Sequence, residues 1–453
     1  MPNGILEMKT GCPGIGGAMQ EDRRMRLVIK IEQNGKLIPA GTIEGNDRHD
    51  ACFRYAEDYC EHVGVPVSIS LPLQKDAFSA EQTAAFFEGL LPEGFTRRSV
   101  AQWMHADEND YLSILHGLGK ECLGAICVQE EGEEVTASYE RVTEAQIREL
   151  AAEGVVKSAQ MVIKSHLSLT GASGKAGLYY DGNHDEWYLP HGTAPSTHIV
   201  KQSHVRLESI VVNERLSMMT AGKCGLSIPG SRILNTGHGK EQEVLFATRR
   251  YDRLVDEDSR MIGTLPCPYR LHQEDFCQAM GLPASEKYEG KTPRYLQGMF
   301  DILRKYSSDP VRDQLQLWDT ILFDYLIGNT DAHIKNFSLL YDKNLKRIRL
   351  APAYDMISTS VYEQSTRDMA FHIGDARSLD DISKESFRTA ARQAGLGEKM
   401  GLRRLEGMAA RFPEALKEAA GELAEGGYGR AQELADRILQ TGGWSRIHRL
   451  VLP

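Results

Sequence analysis

The sequence predicts an α+β, bilobal molecule with a sheet-rich front, a strand-rich middle and a helical back. Three observations carry that expectation. Strand-like alternation and an Asn-Gly hairpin signal fill the first part of the chain. Short β-branched and aromatic runs crowd residues 161–253. Beyond about 270 apolar residues recur at helical spacing. At about 150 residues per domain, the 453 residues suit about three domains or lobes.

Residues 1–24 read as a disordered segment or an upstream extension, because Gly11 to Gly17 is turn-rich and aperiodic. Arg26 to Ile31 and Lys36 to Ile38 flank Asn34-Gly35, the pattern of a tight hairpin. Val65 to Leu73 alternates as a strand, with Val67, Ile69, Leu71 and Leu73 on one face, and Pro72 puts its end at an edge. Ser79 and Gln82 form a capping box that opens a helix through Phe86, Phe87 and Leu90. Thr143 and Gln146 repeat the device for a short helix to about Glu153, and a boundary falls near 150–160. Strands follow at Leu167 to Thr170, Ala176 to Tyr180, Trp187 to Leu189, His198 to Lys201 and Val244 to Ala247, with a helix at Ile210 to Gly222. Asp309 caps and Pro310 opens a long helix that ends at Gly328-Asn329. Two short strands, Phe337 to Tyr341 and Arg347 to Leu350, precede amphipathic helices such as Leu416 to Leu423 and Arg430 to Leu439.

Composition sets bounds. With 41% hydrophobic residues a sizeable core is possible and wholesale disorder is excluded. A net charge of -10 argues against a protein that coats nucleic acid, although a local basic patch stays possible. Eight scattered cysteines include no C-x-x-C pair, so they suit free thiols of a reducing cytosol. No apolar run approaches the roughly 20 residues that span a bilayer. A cytoplasmic protein without a membrane segment is expected.

The chemistry-bearing segment is Gly328-Asn329-Thr330-Asp331-Ala332-His333-Ile334-Lys335-Asn336-Phe337. Phosphoryl transfer needs an acid that orients the attacking hydroxyl and takes its proton, and a neutral oxygen nearby for a metal ion. Asp331 supplies the first and Asn336, five residues on, the second. His333 stands where kinases often put a lysine aimed at the transferring group. Asp355 follows a short hairpin and the Pro352 turn, where a second carboxylate would serve as the principal Mg²⁺ ligand. Both aspartates also read as ordinary turn residues.

Upstream, Ser168 to Lys175 forms a glycine-containing hairpin whose N–H groups would cover phosphates. It is not a Walker A loop, because no Ser or Thr follows Lys175 and a strand comes next. Taken alone it equally reads as a plain turn. Lys201 ends a strand, where it would reach phosphates, and Glu214 on the next helix is its ion-pair partner. The plainer reading makes both solvated surface charges. Glycine hairpin, strand lysine, helix glutamate, Asp-x-x-x-x-Asn loop and late aspartate nevertheless occur in kinase order on matching elements, which chance rarely arranges.

On these residues the chain resembles the HipA family of bacterial Ser/Thr kinase toxins, over about residues 26–440. Tyr325 to Ser338 is similar to the family's catalytic loop almost residue for residue. Leu350 to Ser358 is similar to its metal-binding motif, Thr197 to Lys201 to its lysine strand, and Tyr251-Asp252-Arg253 to its post-hinge motif. Val67 to Leu73 and Phe86 to Gly94 resemble its N-terminal domain. The resemblance implies a bilobal protein-kinase-like fold with a β-rich N-terminal domain and ATP lobe and an all-helical C-terminal lobe. The boundaries it suggests are 25–155 for the N-terminal domain, 156–253 for the ATP lobe and 254–453 for the helical lobe with the catalytic loop.

It further implies an ATP- and Mg²⁺-dependent kinase. Asp331 would be the base, with His333 and Asn336 in the same loop, and Asn336 and Asp355 would hold the metal. Thr170, Gly171, Ala172, Ser173, Gly174 and Lys175 would form the phosphate loop, and Lys201, supported by Glu214, would touch ATP. Thr248, Arg249 and Arg250 would present the hinge to adenine, and Tyr354 would join the nucleotide site. Ser168 or Thr170 would be autophosphorylated, which switches such enzymes off by adding a charge beside the ATP phosphates. The implied partner is a small helix-turn-helix antitoxin, and the implied substrate an aminoacyl-tRNA synthetase, whose phosphorylation stalls translation and leads to persistence.

The chain departs from the family in places. Its loop reads Ala172-Ser173-Gly174-Lys175, where relatives carry polar or acidic residues, and Gly174 adds mobility. The stretch 375–384 holds Asp380 and Asp381 rather than a basic patch, so DNA contact would run only through the antitoxin. A different class of function is a weakly catalytic partner of a helix-turn-helix repressor. A third is a small-molecule phosphotransferase, against which the long N-terminal domain argues.

Overall fold

The computed structural model describes residues 24–153, 155–165, 168–169, 174–203 and 207–451. All but the last residue of the extension expected at 1–24, and the expected phosphate-loop residues Thr170 to Ser173, lie outside them.

The front of the molecule is a four-stranded antiparallel sheet in the order β3-β2-β1-β4, made of β1 (Met25–Gln33), β2 (Lys36–Gly45), β3 (Cys52–Tyr55) and β4 (Ile126–Glu130). Asn34 and Gly35 both take positive φ, as a two-residue turn matching the strand twist requires. The helices α1 (Glu57–His62), α2 (Ala80–Phe87), α3 (Gly94–Trp103) and α4 (Tyr111–Leu118) follow. The Ser79/Gln82 capping box forms as expected. The strand expected at 65–73 does not form, and only a single bridge joins Ser68 to Leu71. Side chains satisfy this backbone instead. Tyr55 Oη accepts from Val67 N at 2.9 Å and donates to the Leu71 carbonyl at 2.6 Å. Val67 and Leu71 are buried all the same, so the alternation recorded burial rather than pairing.

The middle is a six-stranded sheet in the order β5-β7-β6-β8-β10-β9. Its strands are β5 (Ala137–Val142), β6 (Lys175–Asp181), β7 (Glu186–Gly192), β8 (His198–Gln202), β9 (Ser231–Asn235) and β10 (Val244–Arg249). β5 pairs with β7 from Ala137 to Val142, so the sheet begins well before residue 156. Ser168 and Leu169 belong to no strand. The helices α5 (Glu144–Glu153) and α6 (Val155–Ser165) come between β5 and β6, and α7 (Ile210–Lys223) contacts β9 and β10. Val142, Leu150, Leu178, Trp187 and Leu245 belong to a small core of this sheet's own.

The back is not all helical. Two short hairpins, β11 (Arg253–Leu254) with β14 (Tyr269–Arg270) and β12 (Met261–Ile262) with β13 (Leu265–Pro266), link it to the middle sheet. A three-stranded sheet follows, made of β15 (Gln273–Asp275), β16 (Ser338–Tyr341) and β17 (Ile348–Leu350). The hairpin β18 (Asp368–Ile373) with β19 (Ala376–Ser378) completes the strands. The β16–β17 hairpin turns the chain back between Asn336 and Asp355. The helices are α8 (Phe276–Ala279), α9 (Tyr295–Tyr306), α10 (Pro310–Ile327), α11 (Lys384–Gln393), α12 (Glu398–Glu425), α13 (Arg430–Thr441) and α14 (Trp444–Val451). One apolar core runs from Leu27 through Trp318 to Ile447, so front and back share their interior. Among the described residues the cysteines are unpaired, and no helix is long and apolar enough to cross a membrane.

Candidate active site

The helix α10 stops at Gly328, which takes φ 71°. The loop beyond it is tied at each step. Asn329 Nδ2 donates to Asp324 Oδ1 at 2.9 Å, and Thr330 N to Thr359 Oγ1 at 2.7 Å. The Asp331 carbonyl accepts from His333 N at 2.7 Å and from Asn336 Nδ2 at 3.1 Å. With its amide nitrogen so used, Asn336 keeps its amide oxygen for another partner. Lys335 is buried beneath the loop, donating to Asp275 Oδ2 at 2.7 Å and to the Gly89 carbonyl at 3.2 Å.

From β8, Lys201 Nζ donates to Glu214 Oε1 on α7 at 2.6 Å and also to Asp355 Oδ1. The ion pair expected between strand lysine and helix glutamate is thus present, and neither is a solvated surface charge. Asp355 sits at φ 59°, a left-handed conformation that Asp tolerates better than most residues. Burial disfavours the Lys201 ammonium, but Asp355 and Glu214 outweigh it and hold its pKa above the ordinary range. Burial raises the Glu214 carboxyl to about 7 against the pull of Lys201. On Asp355 the desolvation is overcome by Lys201 and then Lys175, so its carboxyl stays ionised well below the usual range.

Asp331, His333, Asn336, Asp355, Lys175, Lys201 and Glu214 all line one cleft of about 1230 Å³. Lys175 and Lys201 are directly opposed on β6 and β8, so two ammonium groups share one face of the sheet. Opposed like charges on a sheet are unfavourable unless an anion lies between them. This lysine pair above two carboxylates and an amide suits a polyphosphate carrying a divalent cation. Asn336 and Asp355 offer the hard oxygen donors such a cation takes.

Models of two domain families match the chain, "HipA N-terminal domain" over residues 34–129 and "HipA-like C-terminal domain" over residues 167–416. The chain belongs to the HipA family. It is accordingly a kinase of the serine/threonine class. A protein of Sinorhizobium fredii named "Putative kinase Y4mE" is 31% identical over 401 residues, covering 86% of this chain and 91% of the relative. The "Serine/threonine-protein kinase toxin HipA" of Shewanella oneidensis is 28% identical over 386 residues, covering 80% of this chain and 83% of the relative. A solved complex of Shewanella oneidensis HipA, HipB and operator DNA has the same fold, with a TM-score of 0.74 at 22% identity, covering 93% of this chain and 97% of that one.

The other residues carried over from the resemblance, Thr248, Arg249, Arg250, Tyr354 and His333, also line the cleft, each with its own surroundings. Arg250 lines the cleft, and its guanidinium lies in a buried cluster with Asp252 at 2.7 Å and Glu121 at 3.1 Å. The Arg249 side chain is exposed, and its N–H bonds the Gly230 carbonyl at 2.8 Å. Thr248 lines the cleft, and its Oγ1 is buried with no hydrogen-bond partner among the described residues. Tyr354 forms wall rather than a free donor, its hydroxyl bonding the Lys335 carbonyl at 2.9 Å and Ser338 Oγ at 2.6 Å. His333 is buried, and desolvation followed by nearby Lys287 drives its pKa well below the ordinary value. It stands in the loop as a neutral ring, not as the cation that a lysine there would be.

Ser168 does not face the cleft. It is buried, with Oγ donating to the Leu90 carbonyl at 2.6 Å. A Cβ on Gly174 would lie 2.0 Å from Gln202 Nε2, so the Gln202 side chain would have to shift to admit one. Three cleft residues, Tyr288, Glu93 and Lys335, lie outside the expected site residues. Tyr288 donates its hydroxyl to Asp331 Oδ1. Glu93 bonds Lys287 at 2.6 Å and lies 3.9 Å from Lys335. A lysine inside a loop that otherwise reads as buried could have flagged Lys335. Tyr288 and Glu93 come from distant segments.

Proposed function

We propose that this HipA-family kinase is an ATP- and Mg²⁺-dependent toxin of a toxin–antitoxin pair that phosphorylates a serine or threonine of a translation factor, such as an aminoacyl-tRNA synthetase. The observation that carries the reading is the convergence of the Glu214–Lys201–Asp355 chain of ion pairs with Asp331 and Asn336 in one cleft. Lys175 and Lys201 neutralise the phosphates, and the Thr248 hydroxyl, which has no partner among the described residues, would meet the base of the nucleotide. Asn336 and Asp355 hold Mg²⁺, which supplies charge neutralisation on the phosphates. Asp331 takes the proton of the acceptor hydroxyl as its oxygen bonds the γ-phosphorus. The bridging bond to the β-phosphate breaks and ADP leaves.

A small DNA-binding antitoxin is the proposed partner, in keeping with the HipB that accompanies the Shewanella protein. The charge of -10 would favour a basic partner. Phosphorylation of the loop at Ser168 or Thr170 is the proposed off-switch. At Ser168 it requires the hydroxyl to leave the Leu90 carbonyl first.

Labelled ATP and Mg²⁺, with purified synthetases as acceptors, test the reading. Transfer to serine or threonine that falls at least about a hundredfold in Asp331→Ala supports it. No transfer to the chain itself or to any synthetase overturns it.

A further inference from the structure

The acceptor side of the cleft is occupied by the protein itself. The Tyr288 hydroxyl donates to Asp331 Oδ1, the atom that would receive the proton of an attacking hydroxyl. The ring meets His333 edge-on, with centroids 5.3 Å apart. The backbone beneath Tyr288 is clamped from both sides. The Lys287 carbonyl accepts from Ile334 N at 3.4 Å, and the Lys287 ammonium bonds Glu93 at 2.6 Å. Glu289 is buried and accepts from Arg294 N and Tyr295 N at 2.6 Å each, and from His372 N and Nδ1 at 2.7 Å each. The main chain is held on both sides, while Tyr288 is 43% exposed. The side chain, rather than the main chain, is the part a docking protein could displace.

We propose that Tyr288 holds the seat of the acceptor hydroxyl, keeping water off Asp331 until the serine or threonine of a bound protein displaces it. This rests on the reading of Asp331 as the proton acceptor. A tethered hydroxyl competes with free water through its high effective concentration. A substrate anchored by the rest of its surface brings a hydroxyl that is equally tethered, so the exchange costs little for the right partner. Water has no such anchoring. The residue therefore sets the preference for a docked protein acceptor over hydrolysis of ATP.

Steady-state ADP release by the full-length protein, without acceptor and beyond a single turnover, tests this in the wild type, Tyr288→Phe and Tyr288→Leu. Asp331→Asn, a fluorescent ATP analogue and thermal melting are the controls. The expected result is acceptor-independent hydrolysis raised at least about threefold in both Tyr288 variants, with ATP affinity and melting temperature retained. Mass spectrometry of wild type after turnover should find no phosphate on Tyr288. Unchanged or slower hydrolysis in folded, ATP-binding Tyr288 variants overturns the proposal. So does phosphate on Tyr288, which would make it an acceptor rather than a placeholder. Hydrolysis that survives in Asp331→Asn instead removes the role of Asp331 on which the proposal rests, and is recognised by that variant alone.

Discussion

Glu121 Oε2 accepts a hydrogen bond from Arg270 Nε at 2.9 Å, with both side chains fully buried between the N-terminal sheet and the segment that follows β10. Around them Glu121 also bonds Arg253 at 2.9 Å and Arg250 at 3.1 Å, and Arg270 bonds Glu32 on β1 at 3.0 Å. Burial would raise the Glu121 carboxyl, but the three guanidinium groups hold it below the ordinary range. Glu121 also accepts from Ser168 N through its carbonyl at 2.8 Å, so the same residue holds the segment that leads into the proposed phosphate loop. The cluster joins the N-terminal sheet, the segment after β10 and the residues around Ser168.

Replacing one partner in such a cluster leaves an uncompensated buried charge. Glu121→Gln is expected to cost about 3–5 kcal/mol. Urea unfolding followed by tryptophan fluorescence measures it. A loss under about 1 kcal/mol would show that the cluster adds little to the native state.

Asp355 combines a backbone requirement with a charge requirement, and two substitutions separate them. Asn tolerates the left-handed conformation at φ 59° and still offers Lys201 a neutral oxygen. Asp355→Asn should therefore melt close to wild type, while its Mg²⁺ dependence moves to roughly tenfold to hundredfold higher concentration. Asp355→Val should lose about 1–2 kcal/mol more than Asn, from the strained backbone. Calorimetry and kinase rates across a Mg²⁺ titration check both. Equal melting of the two variants would remove the backbone argument.

The parts of the site legible in the sequence were those whose chemistry is local. Asp331 and Asn336 are close in the chain, and Lys201 and Glu214 are only 13 residues apart. What stayed hidden comes from long-range packing. Tyr288 reaches Asp331 across 43 residues, and the Glu93 and Lys335 contacts join the front domain to the loop that carries Asp331. Fold errors share this cause. β5 pairs with β7, a strand roughly fifty residues later, which no local pattern can announce. Residues 65–73 bury alternate side chains like a strand, yet Tyr55 and Glu274 take the bonds a neighbouring strand would have made. Arg250 was placed at the hinge by resemblance, but local pattern says nothing of the three-arginine cluster that claims its side chain.

Gly328 links the end of α10 to the direction of the catalytic loop. An ideal Cβ there would lie 2.1 Å from Ser360 Oγ, on top of the cost of positive φ. The Gly328 carbonyl also accepts from Ser360 N at 3.0 Å and Thr359 Oγ1 at 3.1 Å, so the neighbouring strand of chain cannot simply retreat. Gly328→Ala should destabilise by about 2–3 kcal/mol. Because Asp331 hangs from this turn, kcat should fall more than ATP affinity. A variant with wild-type melting and rate would refute the packing argument.

The opposed lysines predict a pH dependence of nucleotide binding. Desolvation, followed by the charge of Lys201, lowers the Lys175 pKa to about 8, while Asp355, Glu93 and Glu214 pull the other way. An anion binds the protonated form, so bound ATP raises this pKa and takes up a proton. The sign follows. Below about pH 8 Lys175 is already charged and affinity is nearly level. Above it each binding event must first protonate the amine, and affinity falls, by up to about tenfold per pH unit. Arg keeps its charge throughout this range, so Lys175→Arg should lose the alkaline decline. Lys175→Met should bind more weakly at every pH and show no such decline. Titration with a fluorescent ATP analogue from pH 6.5 to 9.5, with melting curves at each pH, distinguishes these outcomes. An alkaline decline that persists unchanged in Lys175→Met would assign the proton to another group.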